Sequence, residues 1–330
     1  MKKIVLFGIL ILIASVSCKD KKSRQIPIEE PRVKISVPDF NSDSAYMYVK
    51  NQVDFGPRVP NTPNHQKCAD YLYAVLKSFA DTAMVQSFKA SAYDGTVLNA
   101  KNIIGSFNPQ HSKRVLLCAH WDTRPFSDHD PDPSLHDTPI DGANDGASGV
   151  GVLLEIARLM KERKPSIGID IIFFDVEDYG PPRDHPASSE KDQYGLGSQH
   201  WSKNPHDPDY TADYGILLDM VGAADARFYM EGYSMEYASR IVQMVWNTAH
   251  KAGYKKYFLY EPVGYIDDDH KYLNEIAGIP TINIIHLDPK SSNGSFFEYW
   301  HTTGDNLSVI DKQTLKVVGQ TLLNLIYSEK

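Results

Sequence analysis

Positive charge is scarce in this sequence. Across 330 residues, 34 Lys and Arg face 42 Asp and Glu, for a formal net charge of −8. A general nucleic-acid binder needs a basic face, so that class is set aside. Cysteine is rarer still: Cys18, Cys68 and Cys118 are the whole set. There is no internal repeat and no low-complexity block. With 42% apolar and 23% charged residues, the composition is that of a globular chain and excludes extensive disorder, collagen and coiled coil. Length alone suggests about two domains, although a single α/β domain of this size is common. Tyrosine (19) outnumbers phenylalanine (13). That suits a pocket lined with amphipathic rings and equally a well-filled core.

The N-terminus reads as an address. Lys2 and Lys3 precede the apolar run Ile4–Val16, which is too short for a comfortable membrane span and fits a signal peptide over residues 1–17. Ser15-Val16-Ser17-Cys18 resembles a bacterial lipoprotein box, with Cys18 as the lipidated residue. Residues 18–38, polar and dotted with Pro27, Pro31 and Pro38, read as a flexible tether. The expectation is an exported protein that meets the membrane only through its lipid anchor, facing the periplasm or the cell surface. Cys68 and Cys118 are left either as a disulfide or as two buried thiols.

From residue 39 to 330 the chain alternates helical and strand patterns. Apolar spacing predicts helices over 63–80, 146–161, 237–252 and 312–327. Strand-like runs fall at 84–90, 99–106, 114–119, 167–174, 216–220 and 281–285. Such alternation implies a single α/β domain with a central, mostly parallel twisted sheet flanked by helices. In such folds chemistry sits beyond the carboxyl ends of the strands. The polar residues obey that rule. His120-Trp121-Asp122 follows one strand, Asp175-Val176-Glu177-Asp178 another, and Asp219 a third. Asp145 precedes a helix, and Trp300-His301-Thr302 lies beyond the strand at 281–285. Singly, each has an ordinary explanation: a surface pair, a helix cap for Asp145, solvated charges, a buried histidine. Together they are carboxylates brought to one sheet edge, where burial and mutual repulsion call for a divalent cation. Asp, Asp or Glu, and His suit a catalytic zinc with an open position.

These motifs resemble the zinc aminopeptidase and glutaminyl cyclase superfamily. The matching stretches are AHWDTRP (119–125), DGANDGASGVGVLLEIAR (141–158), IIFFDVEDYG (171–180), LLDMVGA (217–223), IDDDHKYLNEIAGIPTI (266–282) and YWHTTGDN (299–306), with weaker similarity at FGPRVPNTPNH (55–65). The resemblance implies a zinc-exopeptidase-like fold. In its aminopeptidase branch two zincs would be held by His120, Asp145, Asp178, Asp219 and His301. In its cyclase branch one zinc per chain would be held by Asp145, Asp178 and His301, with His120 and Asp122 behind the site. Residues 266–270 resemble the cyclase signature, in which Asp268 pairs with Asp219 where a second metal would sit. The bacterial members of that branch are the better match.

The cyclase resemblance implies conversion of N-terminal glutamine in peptides or proteins to pyroglutamate, with loss of ammonia. Glu177 would carry protons, Asp219 and Asp268 would orient the leaving nitrogen, and Trp300, Phe296 and Ile266 would wall the pocket. The alternatives are a di-zinc aminopeptidase and a peptide-binding lipoprotein without catalysis. The chain departs from the animal cyclases at Asp178, where they carry Glu, and at Asn283, where they carry His. Trp201, just past the long loop 179–198, is the candidate for a further pocket ring.

Overall fold

Capping side chains set the first elements. Asn41 accepts the backbone N–H groups of Asp43 and Ser44 and starts α1 (Ser42–Val53). Thr62 caps α2 (Pro63–Phe79), whose first helical residue is proline. A hairpin follows, β1 (Thr82–Ser91) and β2 (Val97–Phe107), turning through Gly95 at φ 82°. Next come β3 (Arg114–His120), α3 (Ala147–Glu162), β4 (Gly168–Phe174), α4 (Leu196–Lys203) and β5 (Tyr214–Asp219). The chain continues through β6 (Phe228–Met230), α5 (Gly232–Lys251), β7 (Phe258–Pro262), α6 (Asp269–Glu275), β8 (Thr281–Ile285) and α7 (Lys312–Ile326). The computed structural model describes residues 36–329. The signal segment, Cys18 and the tether up to residue 35 lie outside the described residues.

The main sheet has the order β1-β2-β4-β3-β5-β8. β3 pairs in parallel with β4 and β5, and β5 with β8. β2 is antiparallel to both β1 and β4, so it alone runs against the other strands of a mixed sheet. The parallel strands are apolar on both faces because both faces are covered. Val115, Leu117 and Ala119 of β3 join a core shared with α2, α3, α5 and α7. Leu116 and Cys118 join a second core that contains Trp201 of α4 and Leu273 of α6. Each fully buried Leu, Ile or Phe contributes about 1.5–3 kcal/mol over leaving it in water. α3 lies close on the sheet. A Cβ on Gly149 would fall 2.4 Å from the Leu218 carbonyl oxygen, so only glycine permits that approach.

The strand positions expected from sequence agree with the structure to within a few residues. α5 begins five residues earlier than its apolar spacing suggests, because Glu231 caps it through the N–H groups of Tyr233 and Ser234. Trp201 is not a pocket ring. It is fully buried, packs near Phe174 and Tyr210, and donates its indole N–H to His206. Cys68 and Cys118 are both free and buried, and they belong to the cores on opposite faces of the sheet. Of the two alternatives, the thiols are therefore unbonded. A peptide map under non-reducing conditions should recover Cys68 and Cys118 on separate alkylated peptides. A linked pair would contradict the placement of the sheet between them.

Candidate active site

The ends of β4, β5 and β8 and the loops that carry Asp145 and residues 188–194, 265–268 and 295–301 converge on a cavity of about 400 Å³. Its wall includes Asp145, Glu177, Asp178, Asp219, Ile266, Asp268, Phe296, Trp300 and His301. Ligand atoms of Asp145, Asp178 and His301 all lie within 4.8 Å of one another. His301 Nε2 is 3.2 Å from Asp178 Oδ1 and 3.8 Å from Asp145 Oδ2. Asp178 Oδ2 is buried without a hydrogen-bond partner. A buried, unsatisfied carboxylate oxygen beside a second carboxylate and an imidazole is the donor set that zinc takes. The residues present therefore fit a zinc ion.

The electrostatics of the cluster agree. Burial pushes Asp178 up to about 7, with Arg124 and His120 holding it back. Burial likewise raises Asp219 to about 6 against its hydrogen bond to His120. Burial and the charge of Asp219 raise Asp268 to about 7. Glu177 is raised well above the ordinary glutamate value, first by burial and then by Asp268 and Asp178. His301 is pushed well below the ordinary histidine value by burial and by Arg124, which keeps its imidazole neutral, as a metal ligand must be.

His120 and Asp122 lie against the triad and its backbone. His120 Nε2 lies 3.0 Å from Asp145 Oδ1 and 3.2 Å from Asp219 Oδ1. Burial would lower its pKa, yet the neighbouring carboxylates of Asp122, Asp145 and Asp219 hold it well above the ordinary value. His120, Asp145 and Asp219 form a second group able to hold a metal, with Asp145 in common. Asp122 accepts the backbone N–H groups of Glu177 (3.0 Å) and Asp178 (3.2 Å), one on each oxygen.

Backbone strain is concentrated at these positions. Val176 (φ 53°), Met220 (φ 50°) and His301 (φ 55°) are left-handed without being glycine, and each adjoins or is a site residue. Such conformations cost about 1–3 kcal/mol each and persist only where the surroundings enforce them. Buried polar side chains from other loops brace the segments around the site. Asp305 accepts the N–H groups of Asn144 (2.8 Å) and Asp145 (3.0 Å). Arg58 donates to the carbonyls of Asp141 and Gly142. Arg124 chelates Asp128 and donates to Asp178 Oδ1. Glu231 accepts from Ile266 N, His270 Nε2 and the N–H groups and hydroxyl at the start of α5. It thereby fixes the arm that carries Ile266 and Asp268.

Sequence reasoning missed Arg58, Arg124, Glu231 and Asp305 as supporting groups. Arg58, Arg124 and Asp305 lie inside quoted motif stretches, which was the available signal; Glu231 had none. The cap reading fails for Asp145, since Gly146 is the N-cap of α3 and carries no side-chain cap. Asp268 does act as a cap: it starts α6 through Asp269 N while its other oxygen accepts Asn283 Nδ2 at 2.6 Å. Asn283 thus occupies a position with a direct role toward Asp268. The pocket ring from the long loop is Tyr194, and Tyr272 adds another. Trp300 stacks on His301 with ring centroids 3.8 Å apart and on Phe296 at 4.4 Å.

Known proteins resemble this chain in sequence and fold. The sequence pattern of peptidase family M28 matches residues 102–326. A Zn-dependent exopeptidase structure from Parabacteroides distasonis is 57% identical, with a TM-score of 0.87, covering 89% of this chain and 100% of that one. The glutaminyl cyclase of Bacteroides thetaiotaomicron, bound to N-acetylhistamine, is 54% identical with the same TM-score and coverage. Glutaminyl-peptide cyclotransferase of Drosophila melanogaster is 26% identical over 306 residues, 84% of this chain and 78% of that one.

Asp305→Asn should weaken zinc binding by about 10–100-fold, because the Asp145 loop loses one charged acceptor. Competition with a chromogenic chelator reads this directly. An unchanged affinity would remove Asp305 from the support of the site.

Proposed function

This chain belongs to peptidase family M28, and from that premise we propose that it is a glutaminyl-peptide cyclotransferase. It converts the N-terminal glutamine of peptides or proteins to pyroglutamate and releases ammonia. The observation that carries the reading is a metal-fitting triad in one cavity with Asp219 and Asp268, where the charge of Asp219 raises Asp268, walled by Trp300, Phe296 and Ile266. The 54% identical glutaminyl cyclase supports it.

A zinc ion held by Asp145, Asp178 and His301, one per chain in this reading, supplies Lewis acidity toward the side-chain amide carbonyl. The chain's own residues do the rest. Trp300, Phe296 and Ile266 fold the flexible glutamine side chain back toward its own α-nitrogen, which turns a loose encounter into a near-attack geometry. Glu177, with its raised pKa, takes a proton from the α-nitrogen and returns one to the departing amide nitrogen. The bond from the α-nitrogen to the amide carbon forms, the bond from that carbon to the amide nitrogen breaks, and ammonia leaves. Asp219 and Asp268 orient the leaving nitrogen. His120 and Asp122 hold these carboxylates and the 177–178 backbone in place. On the sequence reading of residues 1–38, the enzyme is exported and lipid-anchored through Cys18, so its substrates are peptides met outside the cytoplasm.

One observation favours a second reading. His120, Asp145 and Asp219 form a further metal-fitting group that shares Asp145 with the first. A di-zinc aminopeptidase would use both groups, and the 57% identical structure is described as a Zn-dependent exopeptidase. Against this stands Asp268, whose carboxyl shares the Asp219 side of the cavity. A non-catalytic binding protein would have no need of the raised Glu177 carboxyl among these ligands.

Incubation with a glutamine-initiated peptide separates the readings. The cyclase releases ammonia and a product lighter by one NH₃. A peptide shortened by one residue would contradict it. Glu177→Gln should lower turnover by about 10²–10⁴-fold while the protein retains its zinc. Full activity in that variant would remove the proton carrier from the mechanism.

A further inference from the structure

The outer wall of the cavity carries chemistry that the reaction itself does not use. Glu190, Asp192 and Asp267 are exposed residues of that wall, and among the described residues lining the cavity there is no Lys or Arg. Lys191, between two of these acids in sequence, is not a lining residue. Lys271 bridges Asp192 (3.1 Å) and Asp267 (3.2 Å), so three rim carboxylates are matched by one ammonium. An aromatic shelf adjoins the rim. Tyr265 lines the cavity and is 62% exposed. Its ring meets Tyr233 at 4.8 Å, and Tyr233 stacks with Tyr237, itself 41% exposed, at 6.4 Å. Glu236 and Glu275 are exposed acids that act on the hydroxyls of Tyr265 and Tyr237.

A peptide whose first residue fills the cavity must leave through this mouth, so its next residues cross the rim and the shelf. The rim is the outer part of a cavity whose inner end holds the unpartnered, buried Asp178 Oδ2. We propose that the mouth selects glutamine-initiated chains that carry Lys or Arg immediately after the glutamine. The proposal rests on the cyclase reading. Two independent features ask for the same side chain. The unmatched rim carboxylates attract a cation, and exposed tyrosine faces take its aliphatic stem and its charge. The protein already displays this recognition internally. Lys271 Nζ lies over the rings of Tyr233 (5.8 Å) and Tyr272 (5.3 Å) while it bonds the two aspartates.

The test compares three peptides of one length, with Lys-Lys, Ala-Ala or Glu-Glu following the N-terminal glutamine, by kcat/KM for ammonia release. The Lys peptide should exceed the Glu peptide by about tenfold at low ionic strength, narrowing to about twofold near 0.5 M salt. The double variant Glu190→Gln, Asp267→Asn should reduce the low-salt ratio by about threefold or more. The salt series on the unaltered enzyme stands even where the variant fails to fold. Equal values for all three peptides at low salt, or a preference for Glu, would overturn the proposal and leave the cyclase reading intact. Ammonia from none of the peptides would overturn the cyclase reading, and this proposal with it.

Discussion

Repulsion among carboxylates at one edge of the sheet is the constraint around which the molecule is arranged. Asp145, Asp178, Asp219 and Asp268 are each less than one-tenth exposed, and Glu177 stands among them. Two like unit charges about 4 Å apart repel by about 4 kcal/mol at an effective dielectric of about 20. The raised values of Asp178, Asp219 and Asp268 and the elevated His120 record the same tension in the form of bound protons. A divalent cation among Asp145, Asp178 and His301 would relieve it at the group that holds the unpartnered Asp178 Oδ2. What is left over, a Glu177 carboxyl that can take up and return a proton and the carboxyls of Asp219 and Asp268, is what cyclisation uses.

Holding such a cluster together requires support from outside it. Buried carboxylates outside the ligand triad play that part. Asp122 holds the backbone of Glu177 and Asp178, Asp305 that of Asp145, and Glu231 the arm with Ile266 and Asp268. Each accepts N–H groups from a segment other than its own, so each ties two loops together. The hold of Asp122 on the Glu177 N–H braces the segment in which Val176 keeps a left-handed backbone. The parallel strands beneath supply a rigid base, and the close seat of Gly149 against Leu218 fixes the helix that follows the Asp145 loop.

Much of this was legible in the sequence, for a physical reason. Buried parallel strands read as continuous apolar runs, and in such folds their carboxyl ends deliver the chemistry, so His120, Glu177, Asp178 and Asp219 could be placed from the pattern alone. The direction of β2 was not legible, because an apolar run does not encode which way its neighbour runs. α1 was missed because its start is set by the Asn41 cap rather than by a strong apolar stripe. The early start of α5 was missed because glutamate is an unusual cap, and Glu231 was recruited by partners as distant in sequence as Ile266 and His270. Trp201 was misjudged since sequence cannot say which side of a helix faces a cavity. Asp268 has two duties, helix cap and cavity wall, and the resemblance to the cyclase signature pointed to the second.

The cavity thus joins a charged floor to apolar walls and an acidic, aromatic mouth, each part assigned to a different portion of one peptide substrate. On the proposed reading, the crowded carboxylates take a single zinc at Asp145, Asp178 and His301, while Asp268 keeps the neighbouring group free of metal. Anomalous X-ray scattering at the zinc edge, from crystals of the zinc-loaded protein, tests this most directly. One peak bounded by those three side chains is the expected result. A second peak between His120 and Asp219 would contradict the account.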